Sequence, residues 1–238
     1  MKTNLKKMLL LLMVTSLAVS CSDDDSSPTP IPEALPTFAN KITIDTQDDS
    51  YDEVYNIIYD SEKRIGKIVS TGKLNRVYTM TYNTKNQVSA IAITGDDAKT
   101  VTATYNSDGK LTSFTNNGSA TIVTYNSATQ MYEGAANPFS LNAAGDIDVL
   151  GPSFIGYDNS KQGAFTSTNI NYYVLSIIAD ATLIYIMPTK PINTISVTGQ
   201  NVDIENTYTE DGHIKLFDVS DNNNPLKSFT ISYEYQTL

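Results

Sequence analysis

From about residue 41 onward, apolar and polar residues alternate along most of the chain. Tyr78, Met80 and Tyr82 share one face of an extended segment, and Thr79 and Thr81 share the other. Val101, Ala103 and Tyr105 repeat this against Thr102 and Thr104. A period of two is what a strand with one buried face requires. The many β-branched residues and Tyr suit the same conformation. Asn106 then opens a turn, because an Asx side chain can bond the backbone two residues on. Asp108-Gly109 closes it, with Gly109 free to take positive φ. The chain returns as a second strand from Lys110, so the unit is a β-hairpin.

The unit recurs. Tyr59-Asp60, Tyr82-Asn83, Tyr105-Asn106 and Tyr125-Asn126 each end a strand, at spacings of 23, 23 and 20 residues. A fixed spacing of this size marks tandem supersecondary units. A later copy runs from Tyr208 through Gly212 to Lys215, and Leu141 to Ile147 reads as a degenerate one. Two copies depart from the pattern. No Gly closes the turn at Asn83 to Gln87 or at Asn126 to Gln130, so longer or irregular loops are expected there.

One stretch breaks the alternation. Ile170, Tyr173, Val174, Ile177, Ile178, Ala181 and Ile184 follow helical spacing. Their β-branched content would equally suit a buried strand. Asp180 in the middle argues against a membrane span. The segment is expected to pack over the apolar face of the sheet, or to line a hydrophobic cavity. Pro188 and Pro191 end it. Strands are then expected over Ile192 to Val197, Val202 to Tyr208, His213 to Val219 and Lys227 to Tyr235. The pattern predicts an all-β domain: an antiparallel meander of tandem hairpins, about ten to twelve strands in a curved sheet or partly closed barrel. One short apolar segment, helix or strand, covers its concave face.

Composition narrows the chemistry. The 238-residue chain carries 16 Lys and Arg against 26 Asp and Glu, a formal net charge of −10, which disfavours nucleic acid. One Cys excludes an internal disulfide framework and a multi-Cys zinc site. The one His, His213, has no identifiable nucleophile or orienting acid and reads as an ordinary turn residue. Asp45, Asp48, Asp49, Asp52 and Glu53 form the densest acidic cluster. They are a weak Ca²⁺ candidate, since the EF-hand order is absent, and otherwise a solvated acidic loop. Paired carboxylates for glycoside hydrolysis depend on a separation the sequence does not give. The 15 Tyr could stack on sugars, but the repeat Tyr fall on the apolar face, which favours core packing. No cofactor motif is identifiable.

The first residues read as an address. Lys2, Lys6 and Lys7 precede an apolar run from Met8 to Val14, as in a secretory signal peptide. Ala18-Val19-Ser20-Cys21 resembles the lipobox of bacterial lipoproteins. That resemblance implies cleavage after residue 20 and acylation of Cys21, with the membrane as partner. Ser22, Asp23, Asp24 and Asp25 resemble the acidic signal that sends Bacteroidetes lipoproteins to the outer face of the outer membrane. Pro28, Pro30, Pro32 and Pro36 then give a stiff, extended stalk. The expected organisation is signal peptide 1–20, lipidated tether 21–38 and a single β-repeat domain 39–238.

The Tyr-Asx, x-x-x-Gly, Lys/Arg-Leu/Ile pattern resembles YD repeats, the units of Rhs-type shell proteins. It is closer still to short YD-repeat-like lipoproteins of Bacteroidetes, with Tyr157-Asp158-Asn159-Ser160-Lys161 leading into the apolar segment. The resemblance covers about Lys41 to Tyr235. It is specific for architecture and weak for function, several such families carrying no known activity, and a handful of repeats cannot enclose a shell-like chamber. The leading functional expectation is a non-catalytic, surface-anchored binding or scaffold lipoprotein of the outer membrane, with an extracellular glycan or protein as partner. A periplasm-facing carrier of an apolar ligand is the alternative, and a glycan-active hydrolase a weaker third.

Overall fold

A computed structural model of the chain describes residues 36–168, 172–197 and 202–238. The expected signal peptide, Cys21, the acidic run Ser22 to Asp25 and most of the tether lie outside the described residues. Eight strands follow one another as antiparallel neighbours: β1 (Thr37–Thr46), β2 (Glu53–Tyr59), β3 (Ile65–Gly72), β4 (Arg76–Tyr82), β5 (Val88–Gly95), β6 (Lys99–Tyr105), β7 (Leu111–Asn116) and β8 (Ser119–Ile122). A second sheet takes β9 (Thr124–Asn126), β10 (Met131–Glu133), β11 (Phe139–Leu141), β12 (Ile147–Leu150), β13 (Ser153–Tyr157) and β14 (Ile192–Ser196). The chain rejoins the first sheet as β15 (Val202–Tyr208), β16 (Ile214–Asp221) and β17 (Phe229–Thr237). β17 pairs with β1 along almost all of its length.

Strand order in space is therefore chain order throughout, and the pairing of β17 with β1 joins the end of the meander to its beginning. The architecture is the all-β antiparallel meander that the alternation predicts. It differs in detail, with 17 strands among the described residues, in two sheets of eleven and six, rather than ten to twelve in one. Among the described residues no strand ladder joins β8 to β9 or β14 to β15. The first sheet also takes in Thr37 and Phe38, which the expected boundary left in the tether. Phe38 is buried and packs edge-on against Tyr59.

The repeated turn has one construction. Asp60 Oδ1 accepts from the amides of Glu62 and Arg64. Asn83 Oδ1 does so from Lys85 and Gln87, Asn106 Oδ1 from Asp108 and Lys110, and Asn142 Oδ1 from Ala144 and Asp146. Each Asx amide also donates to the carbonyl four residues on. The residue three after the Asx is left-handed: Lys63, Asn86, Gly109 and Gly145. The absence of Gly at Asn83 to Gln87 thus does not give an irregular loop. Asn86 takes φ +59°, which Asn tolerates better than other residues with a Cβ. The loop at Asn126 does differ. Asn126 pairs with Met131 across four loop residues and no bulge interrupts the ladder.

Every repeat turn of the standard form ends in a β-bulge, where Tyr59 faces Ile65, Tyr82 faces Val88, and Tyr105 faces Leu111. A bulge disrupts the ladder locally. The next Tyr along the sheet bonds there. Tyr82 and Tyr105 donate their hydroxyls to the carbonyls of Ile65 and Val88 at 2.6 and 2.7 Å. Tyr157 does so to Ile147, and Tyr235 to Ile214. The repeat Tyr is thus an apolar core residue and also a tie between hairpins. Burial pushes all four phenols up from their ordinary range.

The apolar segment is buried among the strands, but as neither one helix nor a strand. A wide turn of π type spans Leu175–Ala179 and a short helix α1 spans Leu183–Ile186, with extended Asp180 between them. Leu175, Ile178, Leu183, Ile184 and Ile186 are all buried. The reason for the break lies in Asp180. Its Oδ2 is drawn to Arg76 and Tyr78 on β4, while its Oδ1 accepts the Thr182 amide and starts the next turn.

Candidate functional site

The two rims of the large sheet have different chemistry. One carries the Asx turns. The other carries the connections β1–β2, β3–β4 and β5–β6, where Gly72 faces Glu53 and Gly95 faces Arg76. Both glycines have positive φ and sit against backbone: a Cβ on Gly72 would lie 2.3 Å from the Asp52 carbonyl oxygen, and one on Gly95 2.1 Å from that of Asn75.

At this second rim a pocket of about 390 Å³ opens between the sheets. β1 contributes Ile44 and Thr46, and β17 contributes Phe229 and Ile231. The small sheet contributes Leu150, Ser153, Ile155, Ile195 and Val197, and the apolar segment Ala181, Thr182, Ile184 and Tyr185. Tyr51 and Lys73 stand at the mouth, with the Lys73 ammonium 4.0 Å from the centre of the Tyr51 ring. The size is within the range of small-molecule sites, and the lining is mostly apolar, as such sites are.

Among the described residues one acidic side chain lines this pocket, that of Glu53. It is 5 % exposed. Its Oε2 accepts the Tyr55 hydroxyl at 2.7 Å, and its Oε1 is buried with no hydrogen-bond partner. Burial pushes the Glu53 carboxyl up from the usual carboxylate range; the Tyr55 hydrogen bond acts against this. The alternation contains this placement, since Glu53, Tyr55 and Ile57 share the inward face of β2. Grouping Glu53 with the acidic loop by proximity in sequence missed it.

Behind Glu53 lies a buried ionic cluster. Arg76 bonds Asp180 at 2.9 Å, and Tyr78 donates to the same Asp180 oxygen at 2.7 Å. Arg76 also pairs with the more exposed Asp97. Sequence inspection gave Asp180 no partner, because Arg76 lies 104 residues away and meets it only when β4 packs against the apolar segment.

The remaining candidates are distributed as follows. Asp48 Oδ1 accepts the Ser50 amide, and Asp52 Oδ1 accepts the amide and hydroxyl of Thr46. Among the described residues no three acidic, His or Cys side chains converge as metal ligands, so Asp45, Asp48, Asp49 and Asp52 do not form the Ca²⁺ cluster that their spacing suggested. The Asp48 and Asp52 carboxylates instead shape the β1–β2 connection. His213 is buried beside Tyr235, with Nδ1 3.1 Å from Asp211 and Nε2 3.1 Å from the Thr37 hydroxyl. It links the last repeat turn to the start of β1. In that turn Thr209 replaces Asx, accepting the His213 amide, and Gly212 takes φ +85°. Tyr208 reaches Asp158 at 3.5 Å. Tyr125 and Tyr132 border a second pocket of about 330 Å³ with Gln130 and Asn142. There the Lys110 ammonium lies over the Tyr125 ring, 4.3 Å from its centre.

No protein-family model and no curated protein matches the chain. Solved structures resemble it, two porin-like proteins among them. A porin-like protein from Bacteroides uniformis is 16 % identical, covers 84 % of this chain and 99 % of its own, and superposes with a TM-score of 0.44. A porin-like protein from Bacteroides vulgatus is 13 % identical, covers 85 % and 100 %, and has a TM-score of 0.41. Among the described residues no helix is long and apolar enough to cross a membrane.

Proposed function

We propose that the chain is a non-catalytic binding module of the cell envelope that takes an apolar ligand into the pocket at its second rim. The observation that carries this reading is the pocket itself: about 390 Å³, walled by aliphatic and aromatic side chains from both sheets. Lipidation of Cys21 would hold the module at the outer membrane, and the acidic run after it would direct the domain to the cell surface. Its hairpins would belong to the YD-repeat-like lipoproteins that the Tyr-Asx pattern resembles. The stalk would then enter at Thr37, on the Asx-turn rim. The pocket lies at the Thr46 end of β1, roughly 30 Å away at the rise of a β-strand.

Two measurements test this reading. A solvatochromic apolar dye titrated into the soluble domain should saturate at one site, and Ala181→Trp, which fills the mouth, should abolish that site. Absence of saturable binding, or binding indifferent to Ala181→Trp, overturns the pocket. Separately, protease added to intact cells should cleave the anchored domain, and Cys21→Ser should release it from the membrane fraction. Protection until lysis would place the domain in the periplasm.

A further inference from the structure

We infer that Asn117 is a modification site, where the chain converts spontaneously to isoaspartate through a succinimide formed with Gly118. This chemistry does not depend on the pocket binding a ligand.

Asn117-Gly118 is the one Asn-Gly step in the sequence. Gly has no side chain to crowd its nitrogen as that atom closes on the preceding carboxamide. The two residues form the tip of the β7–β8 hairpin, where Asn116 pairs with Ser119. Both are exposed, with φ of +51° and +87°, as a two-residue hairpin turn of the I′ type requires. A Cβ on Gly118 would meet nothing within 4 Å, whereas Gly72 and Gly95 in the neighbouring connections sit against backbone. Gly118 differs because β8 ends its sheet, with β7 as its ladder partner.

Hydrogen bonding singles out the same position. Asn106, Asn126 and Asn159 precede Ser, another small residue. The Asn106 and Asn126 carboxamides are held by backbone amides of their own turns. At Asn159 the attacking nitrogen is held instead, since the Ser160 amide donates to Asp158. Asp108 and Asp211 precede Gly, but an ionised carboxylate is a poor electrophile. Among the described residues, neither the Asn117 carboxamide nor the Gly118 amide has a hydrogen-bond partner. Ring closure requires the tip to open, losing the bond from the Asn117 amide to the Thr100 carbonyl. Opening is cheap in a terminal strand of four residues, three of them exposed.

No redox partner is needed. The Gly118 nitrogen bonds Asn117 Cγ and gives its proton to hydroxide; the side-chain nitrogen leaves as ammonia, taking a proton from water. Water then opens the ring. Breaking the bond to Cγ gives aspartate, and breaking the bond to the main-chain carbonyl gives isoaspartate, which adds a methylene to the backbone. A two-residue turn has no slack for it, so β8 loses its register on β7.

The test is to incubate the full-length chain in mild detergent at neutral and mildly alkaline pH, folded and in urea. Isoaspartate is located by methyltransferase labelling and peptide mapping. In the folded chain it should form at Asn117 at least about tenfold faster than at Asn106, Asn126 or Asn159, and within about tenfold of its own rate in urea. The rate should rise in proportion to hydroxide. Aged protein should exchange its amides faster over residues 119–122, and Asn117→Gln, whose ring closes more slowly, should not. Where Asn117→Gln disturbs the turn, the comparison of the four Asn in the native chain decides. Protection at Asn117 as deep as at Asn106, or unchanged exchange over 119–122 after isoaspartate has formed, would overturn the inference.

Discussion

The hydroxyl of Tyr82 donates to the carbonyl of Ile65 at 2.6 Å, joining the repeat Tyr of one hairpin to the bulge of the hairpin before it. The same bond recurs from Tyr105 to Val88. Removing either hydroxyl leaves the ring packed and the carbonyl without this donor. Tyr82→Phe and Tyr105→Phe should each lower stability by about 1 kcal/mol, read from urea midpoints. The double variant should lose close to the sum if the two ties act independently.

Left-handed positions offer changes of opposite sign. Gln130 has φ +58° at an exposed loop position, where a side chain with a Cβ is strained. Gln130→Gly should stabilise the domain by roughly 0.5–1 kcal/mol. Gly95→Ala should destabilise it by more than that, because its φ of +90° and the Asn75 carbonyl both oppose a Cβ. Thermal unfolding of the two variants checks both signs.

Asp180 holds the broken apolar segment to β4 through Arg76 and Tyr78. Removing one member of a buried pair leaves the other uncompensated. Asp180→Asn should therefore cost about 3 kcal/mol in denaturant unfolding, with Asp97 limiting the loss. A change below about 0.5 kcal/mol, the level of an ordinary surface substitution, would mean that the pair is not closed in solution.

Glu53 makes stability depend on pH in a stated direction. Its folded carboxyl lies above the ordinary range, so the folded state holds the proton more tightly than the unfolded chain. Its contribution favours folding at acid pH and is lost as pH rises from the ordinary carboxylate range through the folded value. Asp60 and Asp211 act oppositely. Against burial, the Arg64 bonds hold Asp60 down, and the Thr209 hydroxyl holds Asp211 down. Those terms are shared with Glu53→Gln and cancel in the comparison. Wild-type stability minus that of Glu53→Gln should fall as pH rises above the ordinary carboxylate range and level once pH passes the raised folded value. A flat or rising difference in urea midpoints would contradict the buried carboxyl.

Much of this architecture was legible in the chain because its causes are local. Alternation at Tyr78, Met80 and Tyr82 assigns the inward face without reference to any neighbour. An Asx side chain closing on its own backbone makes the turn at Asn106 wherever the strands later go. The range Val202–Tyr208 coincides with its expected strand for the same reason. The substitution of Asn86 for Gly was misread because an Asx turn needs a left-handed residue, not a glycine as such.

What tertiary structure decided is everything that depends on which distant segments meet. The split into two sheets was invisible, because alternation records only that a strand has a buried face and not which strand lies opposite. Asp180 appeared as a charge stranded in an apolar run until β4 brought Arg76 to it. Glu53 appeared to belong with Asp49 and Asp52 by proximity. Strand periodicity turns it inward, into a pocket most of whose other walls come from residues 150 to 231. Turns and faces are short-range consequences of sterics and hydrogen bonding, and the sequence alone determines them. The pocket and its single buried carboxylate are products of long-range packing, which no local pattern encodes.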